Sequence, residues 1–149
     1  MTDATPSRRT RSTVRVRYAE TDQMGVVYHA NYLIWCEIGR TDFIAGLGLS
    51  YAELEREGLR LAVADAQIRY HAAARYDDEV QIETWVENAR SRTVTFGYEL
   101  FRVRPGPVLR LATARTTLIA LDGTGSPRTL PPHILEWFRH VATPPDSTP

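Results

Sequence analysis

The sequence predicts an α+β fold in which a five-stranded antiparallel sheet wraps around one long central helix. One observation behind this prediction is a helical pattern that begins at His29 and ends near Gly46, with apolar residues on almost every side. The other is an alternation of apolar and polar residues that persists from Leu59 to Leu121, broken only by short connections. Long successive strands with short connections are typical of an antiparallel sheet. A helix that is apolar on most sides needs cover on most sides, so the sheet is expected to curl around it.

The remaining elements follow from local signals. A strand with one buried, apolar face is predicted at 13–18, and a polar connection follows at 19–28. Ser50 and Glu53 match a capping box, which starts a short helix that ends at Gly58. A last helix runs from Pro132 to Val141. The four later strands are predicted at 59–76, 79–88, 93–103 and 108–121.

The first of these later strands is rich in small residues. Strict alternation places on one face Ala62, Ala64, Ala66, Ile68 and Tyr70, where small side chains would let a helix lie close. Asp65 and Gln67 share the opposite face with Val63, as pocket residues or simply as a polar or dimer-facing surface. Because the sheet also has open edges, we expect this strand to favour pairing with a second copy of the chain.

The composition excludes several classes of protein. Among 149 residues, 18 basic residues balance 18 acidic ones, so the basic excess of a nucleic-acid-binding protein is missing. The longest uncharged run, 23–36, is shorter than the ~20 apolar residues of a membrane helix, and no apolar segment near the N-terminus resembles a signal peptide. Cys36 is the only cysteine, so no internal disulfide can form and a cytoplasmic protein is expected. We interpret Cys36 as a small buried residue rather than a nucleophile.

Both ends of the chain are expected to lie outside the folded domain. Residues 1–12 are polar and contain several arginines, and residues 142–149 are rich in proline and serine. No repeat or change of composition divides the stretch between them. The sequence therefore predicts one domain at 13–141 flanked by two flexible tails.

A candidate for chemistry lies just before the long helix. Asp22 is in a glycine-containing loop, a few residues ahead of the helix start at His29. The first N–H groups of a helix lack partners inside the helix and carry a partial positive charge, so they can hold a developing oxyanion. Acyl transfer needs a base or nucleophile and a group of donors that stabilises the oxyanion. A carboxylate opposite such a helix start supplies the first, and the N–H groups of the helix start supply the second. From spacing alone, a turn or cap role for Asp22 is the alternative.

This segment resembles the signature of the hotdog-fold acyl-CoA thioesterases, closest to the 4-hydroxybenzoyl-CoA thioesterase and YbgC-like branch. The resemblance rests on residues 22–33, which read DQMGVVYHANYL, followed by Trp35, Glu37 and Arg40. It implies that Asp22 is the catalytic carboxylate and that the backbone N–H of His29 polarises the thioester carbonyl. It leaves the His29 side chain optional, as a hydrogen-bond donor to the substrate or as a solvated residue at the helix start.

Substrate contacts are expected on both sides of this loop and at one distant turn. Tyr28 and Asn31 flank the helix start; a core or dimer contact is the alternative for Tyr28, and holding the loop is the alternative for Asn31. Arg90, Ser91 and Arg92 lie at the predicted turn between the third and fourth strands, where hotdog thioesterases often contact the nucleotide. Two arginines around a serine could bind the phosphates of CoA, although an ordinary exposed turn explains them equally well.

The other polar residues carry weaker signals. A related branch uses a helix carboxylate, but Glu37 precedes Arg40 by three residues and is interpreted as its ion-pair partner. The four histidines lack the spacing of metal ligands with Cys or acidic residues, so no metal site and no cofactor beyond the CoA of the substrate are expected.

The function predicted from the sequence is hydrolysis of an acyl-CoA thioester to a free acid and CoA. Asp22 acts as nucleophile or general base, and the pocket is expected between the subunits of a homodimer or homotetramer. Two alternatives stay open: a non-catalytic module that binds acyl-CoA, and a hotdog hydratase or dehydratase. A sensor has no need of a carboxylate at the carbonyl, and the Asp22 loop does not resemble the hydratase motif.

Overall fold

The computed structural model describes residues 8–143, which form one five-stranded antiparallel sheet with three helices. The predicted α+β class and the order of the elements are confirmed. The strands follow the order β1-β3-β4-β5-β2 across the sheet. In chain order the elements are β1 (Thr10–Arg15), a 3-10 turn (Tyr18–Glu20), α1 (Asn31–Gly46), α2 (Tyr51–Arg56), β2 (Arg60–Tyr70), β3 (Glu79–Ala89), β4 (Thr93–Arg104), β5 (Leu109–Leu121) and α3 (Pro132–Val141).

The long helix α1 lies on one half of the sheet, against β1, β3 and β4. Gly39 allows this close approach, because a Cβ at that position would collide with Thr84 Oγ1 on β3. Edge-to-face aromatic contacts then tie the layers together: Phe43 of α1 lies 5.9 Å from Phe96 of β4, which lies 6.0 Å from Phe138 of α3. The core is therefore held between α1, α3 and the middle of the sheet.

The edge strand β2 departs from the predicted alternation. Its pairing with β5 shifts register between Val63 and Asp65, which is the signature of a β-bulge at Ala64. Because one inserted residue reverses the side on which the following residues point, Val63 faces the same side as Ala66, and Asp65 faces the other. The predicted face that joined Ala62 and Ala64 with Ala66 is therefore wrong, and so is the one that joined Val63 with Asp65 and Gln67.

The predicted tail boundaries also need correction. β1 begins at Thr10, so residues 10–12, which were expected to be flexible, pair with β3. Near the other end, the backbone N–H of Thr143 donates to the carbonyl of Val86 at 2.7 Å, so residues 142–143 still contact the sheet. Arg8 and Arg9 also contact the folded domain, through the Gly46 carbonyl and the Glu83 carboxylate. Residues 1–7 and 144–149 lie outside the described residues.

One side of α1 and the edge strand β2 are open in a single chain. Side chains that the sequence predicted to be covered are partly exposed on α1, with Ile34 at 51% and Ile38 at 38%. On β2, Val63 and Tyr70 are exposed at 51% and 43%. Both surfaces carry apolar side chains that the described part of the chain leaves uncovered. Within residues 8–143, no helix is both long enough and apolar enough to cross a membrane.

Candidate active site

Asp22 lies in a tight loop whose ends are bridged. Thr21 pairs with Val27, the Asp22 N–H donates to Val26 at 2.9 Å, and Gly25 turns the chain with a φ of 79° that favours glycine. The half-buried Asp22 carboxylate accepts the N–H of Met24 through Oδ1 at 2.8 Å. Among the described residues, Oδ2 has no hydrogen-bond partner. One oxygen is thus fixed by the turn and the other is available to react or to accept a proton.

A second carboxylate, that of Glu20, holds this loop on α1. It is only 7% exposed and accepts the Arg17 backbone N–H through Oε1 at 2.8 Å and the Trp35 indole N–H through Oε2 at 3.2 Å. The Glu20 carbonyl also accepts the N–H of Tyr28 at 2.8 Å and the side-chain amide of Asn31 at 2.9 Å. Glu20 therefore sets the position of the loop relative to the helix start. Sequence reasoning missed it, because one glutamate in a polar connection carries no distinguishing pattern.

Replacing Glu20 with Gln should lower the free energy of unfolding by about 1–3 kcal/mol. A glutamine offers one oxygen where the carboxylate offers two, so its NH₂ must face either the buried N–H of Trp35 or the partly buried N–H of Arg17 and leave that donor without its partner. Urea unfolding of the variant measures the loss. Glu55→Gln is the matched control, because Glu55 is exposed on α2. A difference between the two variants below about 0.5 kcal/mol would contradict the role of Glu20.

The start of α1 presents backbone donors that the fold leaves unused. The Asn31 N–H donates to the Tyr28 carbonyl at 3.0 Å, which turns that carbonyl towards the helix. Since N–H and C=O point in opposite directions in a trans peptide, the N–H of His29 points away from the helix. Within residues 8–143, neither the His29 N–H nor the Ala30 N–H has an acceptor. Both residues are exposed, so a ligand can reach these donors.

Two of the predicted substrate contacts lie at this helix start. Tyr28 is 48% exposed and its ring packs on the His29 ring, with centroids 4.4 Å apart. Asn31 instead donates its side-chain amide to the Glu20 carbonyl, which matches the alternative that it holds the loop. Tyr28 is thus free to contact a ligand, whereas the Asn31 amide is already occupied.

The predicted phosphate-binding turn lies at the other end of the sheet. The backbone carbonyls of Ser91 and Arg92 accept the N–H groups of Leu130 and Ala120, while the side chains of Arg90, Ser91 and Arg92 are exposed. α1 starts near the beginning of β3, since Val27 donates to Ala74, and the turn follows the end of β3. The 11 residues of β3 span roughly 35 Å at about 3.3 Å per residue. In a single chain this turn and Asp22 therefore do not meet.

Arg40 is buried and does not pair with Glu37, so the predicted ion pair is wrong. Arg40 is 7% exposed; its Nε donates to the Tyr51 hydroxyl at 3.2 Å and its Nη1 to the Tyr98 hydroxyl at 3.1 Å. Burial alone would lower the pKa of Arg40, but Tyr98 and Tyr51 raise it, so the guanidinium stays charged.

Burial raises the pKa of the neighbouring Cys36 to about 12, which agrees with the interpretation of an unreactive thiol.

Two clefts lie away from the Asp22 loop. One, of about 400 Å³, is on the face of the sheet opposite α1, where Arg9 lies 4.1 Å above the Trp85 ring. The other, of about 370 Å³, lies beside Asp77 and Arg104. Asp22 and His29 line neither of them. The surface next to the candidate site is instead the open apolar side of α1 and β2.

Comparison with known proteins identifies the family. The family model of the thioesterase-like superfamily matches residues 16–138. The acyl-CoA thioesterase YbgC of Haemophilus influenzae is 34% identical over 130 residues, which cover 86% of this chain and 93% of that one. The Bacillus subtilis protein YneP is 43% identical over 88 residues, which cover 59% of this chain and 64% of that protein.

A solved structure supports the same assignment. The DHNA-CoA thioesterase of Staphylococcus aureus superposes with a TM-score of 0.78 at 35% sequence identity, covering 87% of this chain and 85% of that one. The resemblance read from residues 22–33 is thereby confirmed at the level of the family and the fold. The family model matches the chain from just after β1 into α3, so the chain belongs to the thioesterase-like superfamily and has its hotdog fold.

Proposed function

We propose that this protein hydrolyses acyl-CoA thioesters to a free carboxylic acid and CoA. The observation that carries the proposal is that two groups lie in one hydrogen-bonded segment. One is the Asp22 carboxylate, of which a single oxygen is hydrogen-bonded, and the other is the His29 N–H, which has no acceptor within residues 8–143. Glu20 joins the two parts, since its carbonyl accepts the Tyr28 N–H and it precedes Asp22 by two residues. The names of the relatives YbgC and DHNA-CoA thioesterase support the same substrate class.

The reaction begins with the thioester oxygen accepting a hydrogen bond from the His29 N–H. Negative charge grows on that oxygen as the carbonyl carbon becomes tetrahedral, and the helix start stabilises it. In one route Asp22 Oδ2 attacks the carbonyl carbon, the C–S bond breaks, and a mixed anhydride and CoA thiolate form; water then cleaves the anhydride. In the other, Asp22 takes a proton from the water that attacks the carbonyl carbon; the C–S bond then breaks, and the Asp22 carboxyl returns the proton to the leaving CoA thiolate. Both routes consume one water and need no cofactor beyond the CoA of the substrate.

We propose further that two chains pair through β2. Its outer edge has no neighbouring strand in the described part of the chain, and the strand is exposed on most positions of both faces. An antiparallel pairing of two β2 strands about a two-fold axis would cover Val63 and the open side of α1. It would also bring the partner's 90–92 turn to the end of the sheet where Asp22 lies. The phosphates of CoA would then contact arginines from the second subunit.

Replacing Val63 with Glu should convert the protein to monomers and reduce thioesterase activity at least 10-fold. A charge on the exposed edge would be buried without a partner when two β2 strands meet. Light scattering coupled to gel filtration measures the mass, and thiol release measures activity. Val108→Glu is the matched control, because Val108 is 66% exposed in the β4–β5 turn, away from the edge. A dimer of unchanged mass in Val63→Glu would rule out pairing through β2.

The proposed activity is tested by the release of free thiol from a panel of acyl-CoA esters. Aromatic and aliphatic acyl groups of increasing length distinguish the shape of the pocket, and the same acyl groups on acyl carrier protein distinguish the carrier. A single cysteine fits a protein of the reducing cytoplasm, so the assay is run in the cytoplasmic pH range. We expect turnover with at least one CoA ester under these conditions. Failure to release thiol from any ester would overturn the proposal.

A further inference from the structure

Tyr70, the last residue of β2, is bound to the start of α1. Its hydroxyl donates to the backbone carbonyl of His29 at 2.9 Å, although the two residues are 41 positions apart. Its ring meets Tyr32 edge-to-face at 5.2 Å and the His29 ring at 6.4 Å. Partial burial raises the pKa of Tyr70, with a further contribution from Tyr32, so the hydroxyl remains a donor.

The His29 carbonyl depends on this hydroxyl for its orientation. Within the helix it accepts only the Tyr32 N–H, at a long 3.3 Å, whereas the contact from Tyr70 is 0.4 Å shorter. Because the carbonyl of His29 and the N–H of Ala30 belong to one planar trans peptide, fixing the first fixes the second. The Asn31 N–H does the same for the preceding peptide, which carries the N–H of His29. The carbonyls of these two consecutive peptides are therefore held towards the helix. Their N–H groups, those of His29 and Ala30, point the opposite way and have no acceptor within residues 8–143.

We propose that Tyr70 is a positioning residue that aligns the Ala30 N–H beside the His29 N–H, so that the thioester oxygen receives two backbone donors rather than one. The proposal rests on the function proposed above. Tyr70 acts through the main chain and does not itself touch the substrate. Its neighbour Tyr32 accepts the Ala74 N–H at 3.0 Å, so the segment that follows β2 is fastened to the helix start at a second point.

The position of Tyr70 links this alignment to the sheet edge. Tyr70 ends the strand through which we propose that two chains pair, and it pairs with Ala112 of β5. A shift of β2 therefore moves the hydroxyl that holds the His29 carbonyl. Assembly of the dimer would thereby stabilise the geometry of the oxyanion donors.

Replacing Tyr70 with Phe tests the proposal, because it removes the hydroxyl and keeps the ring contacts. We expect kcat to fall about 10-fold while KM stays within 2-fold, since the second donor strengthens mainly as charge develops on the oxygen. Tyr76→Phe is the matched control: Tyr76 is 58% exposed, packs edge-to-face on Tyr18, and its hydroxyl has no partner among residues 8–143. A kcat of Tyr70→Phe within 2-fold of this control, or a loss confined to KM, would overturn the proposal.

Amide hydrogen exchange in the free protein separates this proposal from the proposed function. Losing the Tyr70 hydroxyl should loosen the His29 carbonyl and increase the exchange rate of the Tyr32 N–H at least 5-fold, with or without turnover. An unchanged exchange rate would mean that Tyr70 does not hold the helix start, even in an active thioesterase. If the Tyr32 N–H exchanged faster in Tyr70→Phe but the wild-type protein released no thiol, the contact between Tyr70 and the helix start would be supported. The thioesterase function, and with it the role of two oxyanion donors, would then be overturned.

Discussion

Asp22→Asn should lower the rate of thiol release by a factor of about 10² to 10⁴ while acyl-CoA binding is retained. The asparagine still offers an oxygen to the Met24 N–H, so the turn survives the change. It cannot attack the thioester or accept a proton from water, because its second atom is a neutral NH₂. Steady-state kinetics measures the loss, and calorimetry with a slowly hydrolysed ester measures binding.

A second turn in the same chain provides the control. Asp122 accepts the Thr124 N–H at 2.8 Å through Oδ1, its own N–H donates to Ser126, and Gly125 donates back to its carbonyl. These are the contacts that Asp22 makes in its own loop. The Asp122 carboxylate, however, also accepts the Thr124 hydroxyl and the Ser126 N–H, so the fold uses it more fully. Asp122→Asn removes the same charge from the same kind of turn at the opposite end of the sheet.

The two variants together separate the candidate functions. We expect Asp122→Asn to keep wild-type turnover and Asp22→Asn to lose it. Equal losses in both would show that the charge matters for folding rather than for catalysis. Full turnover in Asp22→Asn would reject Asp22 as the catalytic group. Tight binding of acyl-CoA by a wild-type protein that never releases thiol would favour the non-catalytic binding module.

The sequence predicted the presence and order of the strands and helices, because their signals are local. The bounds of β1 (Thr10–Arg15) and β2 (Arg60–Tyr70) differ from the predicted 13–18 and 59–76. Alternation over ten residues or more locates β3 at Glu79–Ala89, one residue longer than predicted, and the proline signal locates α3 at Pro132–Val141. Ser50 caps α2 as predicted, since its hydroxyl accepts the Glu53 N–H at 3.2 Å. The second half of the predicted capping box differs, because the Glu53 carboxylate accepts the Ser50 hydroxyl rather than the Ser50 backbone N–H. Each of these features is decided by residues a few positions apart.

The features that the sequence did not predict depend on distant contacts. A bulge at Ala64 leaves the composition of β2 unchanged while it reverses which side chains face α1. Arg40 lies three residues after Glu37, which favours a surface ion pair, yet two tyrosines from other elements bind it in the core. Glu20 and Tyr70 reach the helix start from two different segments. No short-range pattern reports such contacts, so the residues that position the candidate site became visible only in the folded chain.

His29→Pro should lower kcat by a factor of about 10² to 10³, because it deletes one backbone donor to the oxyanion. The site suits this change. His29 follows Tyr28 in a turn closed by the Asn31 N–H on the Tyr28 carbonyl, and proline is favoured at that second turn position. The missing N–H costs the fold no hydrogen bond within residues 8–143. Thermal unfolding should therefore show a change of only a few degrees.

His29→Ala is the counterpart that assigns the loss to the backbone. It keeps the N–H and removes the ring that packs on Tyr28, so kcat should remain within about 5-fold of wild type. If alanine and proline were equally damaging, the imidazole rather than the amide would be the group that acts on the thioester. If neither variant lost activity, the start of α1 would not be the oxyanion site. A large loss with proline alone is the one outcome in which the N–H at position 29 stabilises the transition state, whatever side chain that residue carries.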